Sequence, residues 1–224
     1  MISVIIPALN EEQALPATLE QLFRLKGHCE VILVDGGSTD QTRQVAAQWP
    51  QVRILQSAAG RGRQMNEGAA VARGNILLFL HADTLLPESA LTTLNENFAD
   101  PNIEWGGFRH RFSGSGLALR FISWLTNTRC LITRIFYGDQ AMFVRRSVFE
   151  EMGGYPDAQL EDITLSKHLR RRSKPLFLEL QVITDSRKFE QMGPVRSLTR
   201  CLLILICYGL RLPLLGQRFF TPVR

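Results

Sequence analysis

Four short apolar runs, separated by segments with helical periodicity, constrain the fold of the first 80 residues. The runs cover residues 2–6, 31–34, 52–55 and 76–80, with Ser3 in the first and Arg53 in the third as their polar residues. Continuous apolar runs of this length are typical of parallel strands that are buried on both faces of a sheet. Helices are predicted between them, at residues 14–23, 41–49 and 61–73. Strands that alternate with helices predict right-handed crossovers, and hence an α/β fold with a mostly parallel central sheet flanked by helices.

The alternation becomes less regular after residue 100. Strands are predicted at residues 105–112, 140–144 and 176–183, and helices at 117–131, 161–172 and from 194 towards 212. No internal repeat or low-complexity linker divides the chain. We therefore predict one domain at residues 1–190, followed by an apolar and basic helical segment at residues 191–224.

The composition is typical of a globular protein, since 45% of the 224 residues are apolar and 21% are charged. The four cysteines form no C-x-x-C pair, and no export signal precedes the first strand. These features favour a reduced cytoplasmic compartment and argue against a zinc site. A second alternative stays open, in which the cytoplasmic protein also attaches peripherally to the inner face of the cell membrane.

Charge is distributed unevenly along the chain. Residues 1–112 carry 9 Lys and Arg against 12 Asp and Glu, whereas residues 113–224 carry 17 against 9. The second half is therefore expected to meet an anionic partner, either a membrane surface or a phosphorylated substrate. Nucleic acid is not expected, because the basic residues are not interleaved with aromatic residues and no nucleic-acid-binding motif is present.

Polar clusters follow three of the predicted strands, at residues 7–12, 35–40 and 81–83. Ligands of open α/β sheets bind beyond the carboxyl ends of the strands. A turn is sufficient to explain Gly36 and Gly37. It does not explain why an acidic residue follows each of two strands, Asp35 after the second and Asp83 after the fourth. These two carboxylates favour a polyhydroxylated or metal-bound ligand.

Glycine-rich phosphate loops are missing from this sequence. Neither G-x-G-x-x-G after the first strand nor a Walker loop is present. A diphosphate would therefore need a divalent cation for neutralisation. Asp83 is the natural ligand for that ion, and an oxygen ligand favours Mg²⁺ or Mn²⁺.

Six short motifs together resemble those of family-2 inverting glycosyltransferases, which have the nucleotide-diphospho-sugar transferase (GT-A) fold. They are Ser-Val-Ile-Ile-Pro-Ala-Leu-Asn-Glu-Glu at residues 3–12, Val-Asp-Gly-Gly-Ser-Thr-Asp at 34–40, Gly-Arg-Gly-Arg-Gln-Met-Asn at 60–66 with Gly68, Leu-His-Ala-Asp at 80–83, Gly-Asp-Gln at 138–140 and Glu-Asp at 161–162. The resemblance covers about residues 1–190. It is nearest to a short single-domain subgroup similar to the arsenosugar-biosynthesis type.

The resemblance implies a set of nucleotide-sugar contacts. In the family, the first loop and the acidic residue of the second strand hold the nucleoside, and a D-x-D motif holds the ribose and the metal. The corresponding positions here are Pro7, Ala8, Asn10, Glu11, Asp35, His81 and Asp83. His81 replaces the first acidic residue of the motif, so Asp83 alone supplies a carboxylate to the metal. Three roles stay open for His81: it contacts ribose or phosphate, it acts as an additional metal ligand, or it satisfies a loop carbonyl.

The resemblance also implies catalytic and acceptor-side residues. Asp162 corresponds to the general base, with Glu161 as a supporting neighbour, although a helix dipole alone explains one acidic residue in a first turn. Asp139 and Gln140 would line the acceptor side, or they form an ordinary turn before a strand. Two more positions, Arg61 and Gln64, would reach the nucleotide, and Arg187 would contact the diphosphate.

The C-terminal segment contains an apolar run at residues 201–208 with arginines on both sides. A run of eight is too short to span a bilayer. It would pack on the domain, form a homodimer interface, or lie on an anionic membrane surface.

The combined prediction is a metal-dependent inverting glycosyltransferase that moves a sugar from a nucleotide-diphospho-sugar to a hydroxyl of a small or lipid-linked acceptor. A UDP-sugar is favoured over a GDP-sugar as donor. The Q-x-x-R-W motif of processive family members is absent, which favours a single transfer. Two alternatives remain, a sugar nucleotidyltransferase and a catalytically inactive membrane-surface adaptor of the same fold.

Overall fold

A computed structural model describes residues 1–158, 160–193, 196 and 199, and these residues form one mixed sheet flanked by helices. The strands are β1 (Ile2–Ala8), β2 (Cys29–Asp35), β3 (Val52–Gln56), β4 (Ile76–Phe79), β5 (Thr84–Leu85), β6 (Trp105–Phe112), β7 (Phe143–Arg145) and β8 (Leu176–Thr184). The helices are α1 (Leu15–Arg24), α2 (Thr42–Ala47), α3 (Arg61–Val71), α4 (Ala90–Asn97), α5 (Leu117–Thr133), α6 (Arg146–Glu151), α7 (Glu161–Arg172) and α8 (Arg187–Met192).

The strand order is β3-β2-β1-β4-β7-β6-β8-β5. Strands β3, β2, β1 and β4 pair in parallel, and β7 then enters antiparallel between β4 and β6. β6 and β8 pair in parallel, and β5 closes the edge antiparallel. Four of the seven pairings among the described strands are parallel, so the predicted α/β fold with a mostly parallel sheet is confirmed.

The apolar runs are continuous because each central strand is covered on both faces. In β1, Val4 and Ile6 point into a core cluster that also contains Leu19 of α1. Ile5, between them, points into a second cluster with Met65 of α3. Successive side chains of a strand point to opposite faces, so a strand between two cores is apolar at nearly every position. The exception in β1 is the buried Ser3, whose hydroxyl donates to Glu30.

One strand was predicted at the wrong position, and several short helices and strands were not predicted. Residues 140–144 were predicted as a strand, but Gly138–Gln140 form a 3-10 turn and β7 begins only at Phe143. Ala141 has a φ of 44°, in the left-handed region, which ends the turn and prevents an extended strand there. The elements β5, α4, α6 and α8 were not predicted, because such short segments depend on tertiary packing for their stability.

Most of the predicted C-terminal segment, residues 191–224, lies outside the described residues. Its assignment to the domain surface, a dimer interface or a membrane therefore stays a prediction, as does the domain division at residue 190. Within the described ranges, no helix has the length and apolar character needed to cross a membrane.

Candidate functional site

The loops that follow β1 and β2 hold each other through reciprocal hydrogen bonds. The backbone N–H of Asn10 donates to Oγ of Ser38 at 3.0 Å, and the N–H of Thr39 donates back to Oδ1 of Asn10 at 2.9 Å. Asn10 has a φ of 56°, a left-handed conformation that asparagine tolerates better than most residues. The predicted nucleoside contact Asn10 is thus fixed at the junction of the two loops.

A second set of contacts fixes the same junction a few residues further along. The N–H of Glu11 donates to Oγ1 of Thr42 at 2.8 Å, and the N–H of Glu12 donates to Oδ2 of Asp40 at 3.1 Å. Glu12 in turn accepts the N–H of Gln41 at 2.9 Å. The first and second loops therefore form one rigid wall, at the sheet edge where α/β proteins bind ligands.

Asp35 is buried below this wall. Its carboxylate accepts the N–H groups of Gly37 at 3.3 Å and Ser38 at 3.2 Å, and Nε of Arg43 lies 3.7 Å away. The side chain therefore shapes the second loop in the structure. A direct contact between Asp35 and the nucleoside stays a prediction.

Gln64 holds the ends of β1 and β2 together. Its amide nitrogen donates to the carbonyl oxygens of Ala8 at 2.9 Å and Val34 at 2.8 Å, and its side chain is buried. Pro7 and Ala8 are also buried, as the last residues of β1. Gln64 was predicted to reach the nucleotide, but in this position its donors are fully used by the backbone of the sheet.

Asn66 and Gly68 attach α3 to the rest of the site. Asn66 donates to the carbonyl oxygen of Tyr155 at 2.9 Å and accepts the N–H of Tyr155 at 2.8 Å. A Cβ on Gly68 would lie 2.5 Å from Cγ2 of Ile5, so α3 approaches β1 closely only because this residue is glycine. Helix α3 thus holds the neighbouring elements of the site in position.

The two acidic residues at the start of α7 share one cation. Nη2 of Arg61 lies 2.9 Å from Oδ2 of Asp162, and Nε of Arg61 forms an ion pair with Glu161. Both carboxylates are buried, with Asp162 only 4% exposed. Arg61 was predicted to reach the nucleotide, but in the structure it is the counter-ion of the predicted base.

Burial gives Asp162 an unusual affinity for protons. Desolvation raises the pKa of Asp162 from 3.8 to about 6, and the charges of Glu161 and Asp139 add to the rise while Arg61 opposes it. A pKa near the working pH is what a general base needs. Tyr155, which the sequence did not single out, packs nearby, and burial together with Asp162 and Glu161 raises its pKa well above 10.

Gly138 marks the point where three elements meet. A Cβ on Gly138 would lie 2.5 Å from Nε2 of His81 and 2.6 Å from Oδ2 of Asp162. The segment that follows β4, the 3-10 turn and the start of α7 therefore converge within a few ångströms. The structure brings His81 of the predicted metal motif close to the predicted base.

We expect the substitution Gly138→Ala to lower kcat/KM by about 10²-fold, because the added methyl group must displace His81 or Asp162 and small misplacements of reacting groups are costly. Gly116→Ala is the matched control, since a Cβ there meets no atom within 4 Å. Steady-state kinetics of the two variants check this. Equal activities would mean that the site tolerates movement at Gly138.

The backbone of Asp83 pairs with that of a second acidic residue. The N–H of Asp185 donates to the carbonyl oxygen of Asp83 at 2.9 Å. Asp185 pairs with Nε of Arg187, and Nη1 of Arg187 donates to Oε1 of Gln13 at 3.0 Å. Arg187, the predicted diphosphate contact, thus spans from β8 to the first loop. Sequence reasoning missed Asp185, although it follows a strand as Asp35 and Asp83 do.

The donor set around Asp83 would leave most of the coordination of a metal ion to substrate and water oxygens. Among the described residues, no three His, Cys, Asp or Glu side chains are grouped closely enough to hold an ion. Mg²⁺ in nucleotide sites takes one or two protein carboxylates, and phosphate and water oxygens complete its shell. Asp83 provides one carboxylate, with His81 two residues before it.

The 3-10 turn that carries Asp139 is held from behind by Gln140. The Gln140 side chain is buried, donates to the carbonyl oxygen of Phe108 at 3.3 Å and accepts from Arg129 at 3.3 Å. A direct acceptor contact would require Gln140 to leave this position. Asp139 is partly exposed, and its Oδ2 lies 3.8 Å from Nε2 of the buried His110, a neighbour that the sequence did not predict.

Comparisons with known proteins identify relatives by sequence. Residues 3–153 match the family model described as Glycosyl transferase family 2. A PGL/p-HBAD biosynthesis glycosyltransferase from Mycobacterium tuberculosis is 41% identical over 96 residues, which cover 40% of this chain and 38% of that protein. The first curated relatives are all matched over less than half of their own length.

Two solved structures have a similar fold. A Pyrobaculum calidifontis mannosyltransferase in complex with GDP-Man and Mn²⁺ has a TM-score of 0.68 at 21% identity, covering 99% of this chain and 67% of that one. The S. aureus TarS fragment 1–349 in complex with UDP-GlcNAc has a TM-score of 0.66 at 18% identity, covering 83% and 58%. These similarities confirm the predicted GT-A fold.

Proposed function

Because the chain belongs to glycosyl transferase family 2, we propose that it transfers a sugar from a nucleotide-diphospho-sugar to a hydroxyl of a small or lipid-linked acceptor, with inversion at the anomeric carbon. The observation that carries this proposal is the convergence of His81, Gly138 and Asp162. It brings a carboxylate suited to accept a proton next to the motif that corresponds to the donor site.

Each group has a separate task in the proposed reaction. The wall formed by the loops after β1 and β2 binds the nucleoside, and Arg187 faces the diphosphate. Asp83, with His81 beside it, would hold a Mg²⁺ or Mn²⁺ ion, which would offset negative charge on the diphosphate.

Asp162 accepts the proton of the acceptor hydroxyl as its oxygen attacks the anomeric carbon. The bond from that carbon to the diphosphate oxygen breaks, and its electron pair leaves with the nucleoside diphosphate. Attack from the side opposite the leaving group inverts the anomeric configuration. A positioned base of this kind contributes about 10²–10⁴-fold to the rate.

The donor is proposed as a UDP-sugar, with a GDP-sugar as the second choice. The structural neighbours support both, since TarS is described with UDP-GlcNAc and the Pyrobaculum enzyme with GDP-Man. Neither the base nor the sugar follows from the fold alone.

Thermal unfolding with UDP or GDP, each with and without Mn²⁺, tests donor and metal binding together. A ligand at a hundred times its dissociation constant stabilises the folded state by about 2.7 kcal/mol. We expect the largest stabilisation with nucleotide and Mn²⁺ together. The substitution Asp83→Asn should remove the part that depends on Mn²⁺ and retain the part due to the nucleotide alone.

Glu88→Gln is the matched control, because Glu88 is an exposed acidic residue five positions further along the same connection. It should behave as the wild type. If Asp83→Asn keeps the full Mn²⁺ dependence, the ion is held elsewhere. If no nucleotide stabilises the wild type, the inactive-adaptor alternative replaces the transferase.

A further inference from the structure

Helix α5 is apolar on two opposite faces. Its inner face, which includes Leu119, Ile122 and Cys130, is buried against the domain. Seven large apolar side chains are exposed in the described part of the chain, and six of them lie on α5. We call these six the outer face of α5: Leu117, Phe121, Trp124, Leu125, Leu131 and Ile132. Their spacing of three, four and seven residues places them on one stripe.

The outer face is exposed to an extent that surface helices rarely show. Leu117 is 82% exposed, Ile132 is 78% exposed and Trp124 is 59% exposed. The rings of Phe121 and Trp124 stack on each other, with centroids 5.8 Å apart, and not on the body of the domain. A contiguous apolar patch of this kind marks an interaction surface.

The charged residues of α5 itself and of the segments directly before and after it are all positive, although Glu190 of α8 lies near Gly114 at the N-terminal end of the helix. Residues 113–138 contain no Asp or Glu. Arg120 is exposed beside the stripe, and Arg134 is exposed at the C-terminal end of the helix. Arg170 of α7 reaches the same end, where it donates to the carbonyl oxygen of Thr133 at 2.7 Å.

We propose that the outer face of α5 docks on an anionic lipid surface. An interfacial helix buries an apolar stripe at the boundary of headgroups and acyl chains and keeps its cations among anionic headgroups. Tryptophan is suited to that depth, because its ring is apolar and its N–H is polar. The outer face of α5 combines all three features.

The two other occupants fit the charges less well. The chain's own C-terminal segment, residues 191–224, contains five arginines and no acidic residue, so it would bring cations to a face already surrounded by cations. A second copy would bring the same arginines and no carboxylate from α5. An anionic lipid surface neutralises these charges.

Helix α5 is connected to the turn that carries Asp139, because Arg129 of α5 donates to Oε1 of Gln140 at 3.3 Å. Vesicle binding is measured without donor or acceptor, so its failure leaves the proposed reaction untouched.

The test is flotation of the full chain with vesicles of phosphatidylcholine alone and of phosphatidylcholine and phosphatidylglycerol in equal parts. We expect binding to the anionic vesicles only, weakening as salt is added. The double variant Trp124→Ser with Ile132→Ser should lower vesicle affinity by about tenfold or more, since it removes two apolar side chains from the interface. The conservative pair Trp124→Phe with Ile132→Leu should retain it.

Fluorescence gives an independent readout of the same contact. Trp105 is 0% exposed and Trp49 is half-buried against Phe23, so Trp124 dominates any change at the surface. Its emission should shift to shorter wavelength with anionic vesicles and be quenched by brominated acyl chains. Arg120→Gln should weaken binding, whereas Arg73→Gln, at an exposed position outside α5 and its surroundings, should not.

Several outcomes would overturn the proposal. Failure of the wild type to bind anionic vesicles would do so, and so would equal binding by the serine double variant. A serine double variant that unfolds at a clearly lower temperature would show that the chain's own segment covers the outer face. A wild-type dimer that becomes monomeric in the double variant, without vesicle binding in either, would assign the face to a second copy.

Discussion

The substitution Arg61→Ala is expected to lower the free energy of unfolding by about 3–5 kcal/mol, the cost of leaving buried charges without their partner. Arg61 contacts both Glu161 and Asp162, and both carboxylates are buried. Because the charge of Arg61 also lowers the pKa of Asp162, its loss should move the acid limb of the pH–rate profile to higher pH. Urea denaturation and pH-dependent kinetics measure the two effects.

Arg63→Ala is the matched control for Arg61→Ala. Arg63 lies in the same first turn of α3, but its side chain is exposed, so its removal should change stability by no more than about 0.5 kcal/mol. The loss of stability in Arg61→Lys should lie between the losses in Arg61→Ala and Arg63→Ala. Lysine keeps the positive charge, but it has no planar guanidinium group with which to contact both carboxylates. Equal losses for Arg61→Ala and Arg63→Ala would contradict the shared-cation arrangement.

The substitution Asp162→Asn is expected to lower kcat by about 10²–10⁴-fold while donor binding stays unchanged, because asparagine cannot accept the acceptor's proton. In the wild type, activity should fall as the pH drops below about 6, since the base is then protonated. Steady-state kinetics and nucleotide titrations separate the two effects. Asp157→Asn, at an exposed acidic position just before α7, should be neutral. Near-normal turnover of Asp162→Asn would remove Asp162 from the role of base.

The same substitution should also change how stability depends on pH. The folded-state pKa of Asp162 is raised from 3.8 to about 6, so the folded protein binds a proton that the unfolded chain releases at lower pH. The stabilisation from that proton is fully present below about pH 4 and is lost as the pH rises through about 6. This rise in pKa corresponds to roughly 3 kcal/mol.

Asparagine does not titrate, so Asp162→Asn should gain stability relative to the wild type as the pH rises from about 4 to about 7. Denaturation curves of both proteins across this range measure the difference. A difference that does not vary with pH would mean that burial does not raise the pKa of Asp162 in solution.

The central strands and the polar loop ends were predictable from the sequence because local patterns determine them. A strand such as β1, packed between two cores, is apolar at nearly every position, and that pattern is visible without a structure. Acidic residues at the ends of buried strands, such as Asp35 and Asp83, were predicted to lie at the edge where open α/β sheets bind ligands. Asp185 follows β8 and could have been found by this signal.

The tasks of the α3 side chains could not be predicted in the same way. The sequence shows a glutamine and an asparagine in a helix, but their amides bond to backbone groups of Ala8, Val34 and Tyr155, which are remote in the chain. Only the assembled fold sets those distances. The same holds for α5, where periodicity reveals apolar residues on both faces but not which face is covered.

The spacing of three side chains on α3 limits how this chain can change. Arg61 holds the start of α7, Gln64 holds the ends of β1 and β2, and Asn66 holds Tyr155. Each helical residue advances the direction of its side chain by about 100°. Inserting or deleting a single residue between Arg61 and Asn66 would turn at least one of these side chains away from its partner. Relatives that keep this arrangement should therefore vary the length of their loops but not of this helix.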